Sequence, residues 1–197
     1  RVLVLNCGTL ASTDINMSLR YNDEFELWGA SINKNHGIYV YKNYIDDIPN
    51  IKDEKFIEIL NEKIKQYDFK FIIATHEDLA LFLQKNKDRI NAVIVCSNYE
   101  TSLLCRYKSK TYEKMKAYNF IPEIYKKDKA DKFPVFVKKD DDQGGRHAYK
   151  VNNNQELELY AKEQDMIICE YLPGDEVTVD CFTNKDRKLL FCNPRQA

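Results

Sequence analysis

The sequence predicts an α/β protein, with a doubly wound parallel sheet over residues 1–105 and an incomplete α+β lobe over residues 106–197. Three observations carry this. Short apolar runs alternate with helical apolar stripes through the first half, which is the pattern of a parallel sheet covered by helices. Past about residue 105 the pattern shifts to strands at hairpin-like spacing. The composition, 44% apolar and 12% aromatic in 197 residues with only six Gly and five Pro, supplies enough apolar surface for real cores.

The elements follow in order. Val2–Leu5, Phe25–Trp28, Ile38–Tyr41, Phe69–Ala74 and Ala92–Cys96 are apolar runs bounded by polar turns and are predicted as short buried strands. Phe56, Ile57, Leu60, Ile64 and Tyr67 share one helical face, with Asp53 as the predicted N-cap and Glu54 in the first turn. A second stripe at Leu79, Phe82 and Leu83 follows the fourth strand. In the second part a helix is predicted over Thr111–Tyr118, stopped by Pro122. Strands are predicted at Val135–Lys139, Ala148–Val151, Met166–Tyr171, Glu176–Phe182 and Leu189–Cys192, with one helix over Gln155–Gln164 capped by Asn154. The Lys-rich segment Tyr125–Lys132 reads as a solvated loop, and no internal repeat is present.

Charge and hydropathy exclude several classes. Thirty Lys and Arg against 31 Asp and Glu give a net charge of −1, so no global basic field exists to hold a nucleic-acid backbone. No apolar stretch reaches the roughly 18 residues of a membrane helix, and Arg1–Asn6 turns polar too soon for a secretory leader, so a soluble protein is expected. The chain opens on Arg and stops at Asn193–Ala197 directly after an apolar run, which reads as trimming at both ends. Cys7, Cys96, Cys105, Cys169, Cys181 and Cys192 form no CxxC pair and have no His at metal-ligand spacing. They are expected to be reduced core thiols of a cytoplasmic protein, with no zinc site.

Asp140-Asp141-Asp142-Gln143-Gly144-Gly145-Arg146 joins two predicted strands. Paired glycines let a backbone approach a phosphate closely, and a plain hairpin turn needs them equally. Three aspartates argue against an anion there. A calcium loop does not account for them, because Gly144 occupies the third acidic position and no closing Glu follows.

The order of signals adds a further expectation. Lys138 near a strand end, the Gly-Gly loop after it, and then Ile167-Ile168-Cys169-Glu170-Tyr171-Leu172-Pro173-Gly174-Asp175-Glu176-Val177-Thr178-Val179-Asp180 together resemble the ATP-grasp family. Lys108 in Arg106-Tyr107-Lys108-Ser109-Lys110-Thr111-Tyr112-Glu113, and then Phe120-Ile121-Pro122, are similar to the segment that precedes the second lobe in that family. Leu3–Thr9, Gly29-Ala30-Ser31 and Thr75-His76-Glu77 resemble the Rossmann-like pre-ATP-grasp domain of carbamoyl-phosphate-synthase-like members. The resemblance covers nearly the whole chain, as a pre-ATP-grasp domain over 1–105 and the N-terminal part of an ATP-grasp domain over 106–197 whose C-terminal lobe is absent.

The resemblance implies roles. Lys108 and Lys138 would set ammonium charges against the triphosphate of ATP, and Gly144 and Gly145 would belong to the loop closing over it. The backbone of Glu170 and Leu172 would bond the adenine edge, Glu176 would accept the ribose hydroxyls, and Arg195 would stand near the acyl phosphate or substrate. Each has a plainer alternative: Lys108 and Lys138 as solvated lysines, Glu176 as a surface residue of an alternating strand, Arg195 as a loose terminal side chain. His76 follows a strand end, where a loop hydrogen-bonder is the commoner role, and His36 and His147 offer nothing distinctive.

The sequence also departs from the family pattern. Lys139 stands where a proline commonly follows the second lysine, and the three aspartates come next. The Mg2+ ligands, an acidic residue and a later Glu-x-Asn, are expected beyond residue 197, so this chain names no metal ligand and is expected to be inactive alone. For the full-length protein the resemblance implies ATP-dependent ligation of a small-molecule carboxylate to an amine or thiol through an acyl phosphate. A non-catalytic nucleotide-binding or regulatory module is the rival, motivated by the acidic loop, and a structural α/β domain without nucleotide is the third. Oligomeric state is open, a homodimer included.

Overall fold

The apolar run Val2–Leu5 forms β1, and all four of its residues are buried. A strand with no exposed face belongs in the middle of a parallel sheet covered on both sides. The computed structural model describes residues 1–126, 130 and 132–196. It divides into two units, Arg1–Lys114 and Met115–Ala197.

In the first unit β1 pairs in parallel with β2 (Leu27–Ala30) on one side and β4 (Phe71–Ala74) on the other. With β3 (Asn43–Ile45) and β5 (Val93–Val95) the sheet runs β3-β2-β1-β4-β5, all parallel. Leu3 and Leu5 point to one face, where α3 (Phe56–Tyr67) contributes Phe56, Ile57, Leu60 and Ile64 and α4 (Glu77–Lys85) contributes Leu79 and Leu83. Val2 and Val4 point to the other, packed with Ile15 and Leu19 of α1 (Leu10–Leu19), Val40 of α2 (Gly37–Val40) and Tyr41. The doubly wound parallel sheet of the sequence reading is present. The unit is completed by α5 (Tyr99–Arg106) and α6 (Lys108–Met115), which runs one residue past its end.

Several local expectations are corrected. Ile38–Tyr41 is not a strand. Gly37–Val40 makes one helical turn, closed by the Tyr41 N–H donating to the Gly37 carbonyl at 2.9 Å, and the strand is displaced to Asn43–Ile45. Asp53 does not cap α3. Its carboxylate accepts the Lys55 N–H at 2.8 Å in the preceding turn, and Lys55 holds the cap position. Phe25 lies outside β2, and α6 starts and ends three residues before Thr111–Tyr118. The helices α1 and α5 were not foreseen.

In the second unit β6 (Ile124–Tyr125), β9 (Met166–Glu170), β7 (Val135–Lys139) and β8 (Ala148–Val151) form an antiparallel sheet in that order. Val135 and Val137 of β7, Val151 of β8 and Ile168 of β9 are buried against Leu157 and Ala161, at and just past the end of α7 (Asn154–Tyr160). The cap of α7 is Asn153, whose side chain accepts the Glu156 N–H at 2.9 Å, one residue before the predicted one. The strands β10 (Val177–Thr183) and β11 (Leu189–Gln196) form a separate two-stranded antiparallel sheet. Part of the predicted loop Tyr125–Lys132 lies outside the described residues, and Tyr125 itself is in β6.

Candidate functional site

Alternation along β7 puts Val135 and Val137 in the core and Phe136 and Lys138 on the opposite face. Lys138 stands opposite Ala148 on β8 and Ile167 on β9, half-buried, with its Nζ 5.7 Å from the centre of the Phe136 ring. Its charge is felt next door: burial pushes the Cys169 thiol up, and the Lys138 ammonium pulls against that rise.

The turn between β7 and β8 carries Gly144 and Gly145, both left-handed at φ of 68° and 66°. A Cβ built on either meets nothing within 4 Å, so it is backbone conformation rather than crowding that favours glycine there. The loop is closed by its own acid. Asp142 Oδ2 accepts the His147 N–H at 3.0 Å and contacts the His147 Nδ1 at 3.0 Å. The His147 contact, followed by backbone N–H groups, holds the Asp142 carboxyl below the usual carboxylate range. The run of aspartates is thus in part a loop fastening, and His147, dismissed on sequence, is its other half. An acid five positions before its histidine partner gives no periodic signal to read.

Glu170 ends β9 and is exposed. Its N–H donates to the Glu123 carbonyl at 2.8 Å, and its carboxylate accepts the Glu123 N–H at 3.3 Å. The Glu170 N–H is therefore engaged, and Leu172 lies exposed just past the strand. Glu176 immediately precedes β10 and is exposed. Val177 pairs with Gln196 and Thr178 with Arg195, which sets Glu176 and Arg195 at the same open end of the β10–β11 hairpin. Arg195 Nε donates to Asp180 Oδ2 at 2.9 Å, so this arginine is held rather than loose.

Lys138, Gly144 and Gly145 thus share one hairpin and Glu170 the adjoining strand, while Glu176 and Arg195 share another hairpin. Lys108 opens α6 in the first unit, half-buried. In that unit His76 caps α4, its Nδ1 accepting the Asp78 N–H at 3.3 Å, which is the hydrogen-bonding role expected at a strand end. Arg106, its side chain only 9% exposed, clamps Asp78 with Nε–Oδ1 at 2.6 Å and Nη2–Oδ2 at 3.3 Å.

A cavity of about 310 Å³ opens at the carboxyl end of β1 and β2, walled by Leu5, Ile48 and Phe56 with Asn6, Ser31 and His76 at polar positions. This is the edge where doubly wound sheets hold ligands, and apolar walls with a few polar groups suit a small organic molecule. Leu5, Asn6, Ser31 and His76 lie in the segments that resemble the pre-ATP-grasp domain and Phe56 on the expected helical face, whereas nothing in the sequence singles out Ile48. Among the described residues no group of three or more His, Cys, Asp or Glu stands close enough to hold a metal ion, and no helix is long and apolar enough to cross a membrane. The six cysteines are free, and of these the expected core placement holds only for Cys7 and Cys169, while Cys105, Cys181 and Cys192 are exposed.

Residues 105–197 match the ATP-grasp domain family. No curated protein matches the sequence. Among solved structures, the fold is similar to the L-amino acid ligase from Bacillus licheniformis, with TM-score 0.73 at 15% identity over 100% of this chain and 50% of that one. It is similar also to the biotin carboxylase domain of 2-oxoglutarate carboxylase from Hydrogenobacter thermophilus, with TM-score 0.71 at 13% identity over 95% of this chain and 48% of that one. A third is the N5-carboxyaminoimidazole synthetase from Staphylococcus aureus, with TM-score 0.67 at 15% identity over 95% and 51%. The chain spans about half the length of these proteins. Residues 105–197 thus carry the match to the ATP-grasp domain, and the chain as a whole shares the fold of these neighbours.

Proposed function

We propose that this chain supplies the ATP-gripping part of a ligase that joins a small-molecule carboxylate to an amine or thiol through an acyl phosphate. The observation that carries it is Lys138, set on the face of β7 away from the core, on the same hairpin as a left-handed Gly-Gly turn and next to the strand that ends at Glu170. The structure of the Hydrogenobacter relative was solved with MgADP and bicarbonate, which supports a nucleotide as the ligand of this fold.

In this proposal the Lys138 ammonium offsets phosphate charge, which has to be partly neutralised before a nucleophile approaches the γ-phosphorus. Lys108 is given the same task by the family resemblance alone. Gly144 and Gly145, open on all sides, let the loop lie over the phosphates and exclude water. Leu172 donates its N–H to the adenine ring and Glu170 offers its carbonyl, since the Glu170 N–H is engaged with Glu123. Glu176 accepts the ribose hydroxyls. Arg195, oriented by Asp180 through its Nε, keeps its terminal amino groups for the acyl phosphate. The carboxylate attacks the γ-phosphorus, ADP leaves, and the amine or thiol then displaces phosphate. Mg2+, when bound, would add to the charge neutralisation of the triphosphate. The described residues offer no cluster to hold it, so no step is assigned to it.

The test is thermal stability with and without ATP and magnesium. A ligand binding only the folded state stabilises by RT ln(1 + [L]/Kd), about 2.7 kcal/mol at a hundred times Kd. Stabilisation that saturates with ATP supports the proposal, and no shift in a chain extended to the length of the relatives rejects it.

A further inference from the structure

The antiparallel pairing of β10 with β11 sets Cys181 directly opposite Cys192. Directly opposed residues of an antiparallel pair have Cα atoms about 4.5 to 5.5 Å apart, inside the range of about 4.4 to 6.8 Å that a disulfide spans. Opposed side chains leave the sheet on the same face, so the two thiols face each other, and burial followed by the neighbouring Cys192 pushes the Cys181 thiol up. Both residues are exposed and both are free. None of the other cysteines combines exposure with such a partner. Cys7 and Cys169 are buried, Cys96 accepts a hydrogen bond from Gln84 at 3.2 Å, and exposed Cys105 belongs to the first unit.

The intervening chain is already turned back. Asn184 accepts the Arg187 N–H on its carbonyl at 3.0 Å and the Asp186 and Lys188 N–H groups on its side chain at 3.0 and 2.9 Å. Arg187 takes the left-handed conformation at φ of 63° to close the turn. Much of the entropy of bringing the two sulfurs together is thus met by the hairpin itself.

We propose that Cys181 and Cys192 form a reversible cross-strand redox site, closed by a low-molecular-weight disulfide such as oxidised glutathione. One cysteine, as its thiolate, attacks a sulfur of the oxidant, breaking that S–S bond, releasing one glutathione thiolate and leaving a mixed disulfide on the protein. The facing cysteine gives up its proton, attacks the protein sulfur of the mixed disulfide and expels the second glutathione thiolate. The protein loses two electrons and two protons, and one oxidised glutathione becomes two reduced ones. The closed bond pins the strand register that also sets Asp180 against Arg195 on the opposite face of the hairpin. This site stands independently of the nucleotide proposal.

The experiment is oxidation of the full chain with excess oxidised glutathione, followed by intact mass and peptide mapping. The expected product has lost two hydrogens and yields one linked peptide pair joining Cys181 to Cys192, reversed by dithiothreitol. In Cys181→Ser or Cys192→Ser the linked pair is absent and the remaining cysteine of the hairpin carries a glutathione adduct. Glutathione retained on both hairpin cysteines of the unsubstituted chain, linkage of either to Cys105 or Cys96, or no reaction at either thiol would each overturn the proposal. The mapping of the unsubstituted chain decides it even if a variant fails to fold.

Discussion

Asp142 and His147 face each other across the base of the β7–β8 turn, the carboxylate taking both the backbone N–H and the ring nitrogen of the histidine at 3.0 Å. The contact lowers the folded-state pKa of Asp142. A lowered carboxyl pKa means that the fastening is complete above the ordinary carboxylate range and is lost as pH falls through the folded value. Hydrogen exchange at Gly144 and Gly145 should therefore quicken in acid more than exchange elsewhere in the sheet, and Asp142→Ala should quicken it at neutral pH. Unchanged exchange in that variant would mean that the loop is held by other groups.

Phe56 is buried to 2% exposure and meets Phe82 edge to face, with ring centres 5.3 Å apart. Phe56→Ala removes that ring from the core under α3 and α4 and should cost about 3 to 5 kcal/mol, read from the denaturant midpoint of the first unit. A loss below about 1 kcal/mol would contradict so tight a packing.

Gly29 lies under Tyr41, where a Cβ would come within 2.7 Å of the ring and 3.0 Å of the Cys7 sulfur. Tyr41 has little room to yield, because its hydroxyl donates to the Ser12 carbonyl at 2.7 Å. Gly29→Ala should destabilise by about 1 to 3 kcal/mol, the usual range for overpacking, and thermal denaturation checks it.

Thiol reactivity should divide by burial. Burial pushes the Cys7 and Cys169 thiols up from their ordinary value, so both should resist a disulfide reagent in the folded chain. Exposed Cys105 and Cys192 should react first, and Cys181, exposed but with its thiol pushed up by burial and the neighbouring Cys192, should follow them ahead of the buried pair. Equal rates at all positions would show that the cores open readily.

How much was legible follows from where the apolar signal lies. Val135–Lys139 and Ala148–Val151 match the sequence reading to the residue, because each is a short run carrying strand-forming residues and bounded by polar turns. The helix α1 was missed because it buries polar groups: Ser12 Oγ donates to the Cys7 carbonyl at 2.6 Å and Asn16 Nδ2 to the Val40 carbonyl at 3.0 Å, leaving no apolar stripe over most of its length. Ile38–Tyr41 carries strand-forming residues, yet Gly37 sits where a Cβ would meet the Cys7 sulfur at 2.6 Å, and that close approach favours a turn. In the candidate site, Lys138 and the glycine turn could be found from order along the chain. The Asp142 fastening, the engagement of the Glu170 N–H and the Arg195–Asp180 pair are contacts between residues whose spacing carries no pattern.

The most direct measurement is an ATP titration by calorimetry of the chain against Lys138→Gln and Glu176→Ala, with Lys162→Gln as a surface control. Losing a charge-assisted contact to phosphate or ribose should weaken binding about tenfold or more in each site variant, the equivalent of roughly 1.4 kcal/mol, with the control unchanged. Affinity for ATP that is the same in all four proteins would contradict a nucleotide held by Lys138 and Glu176.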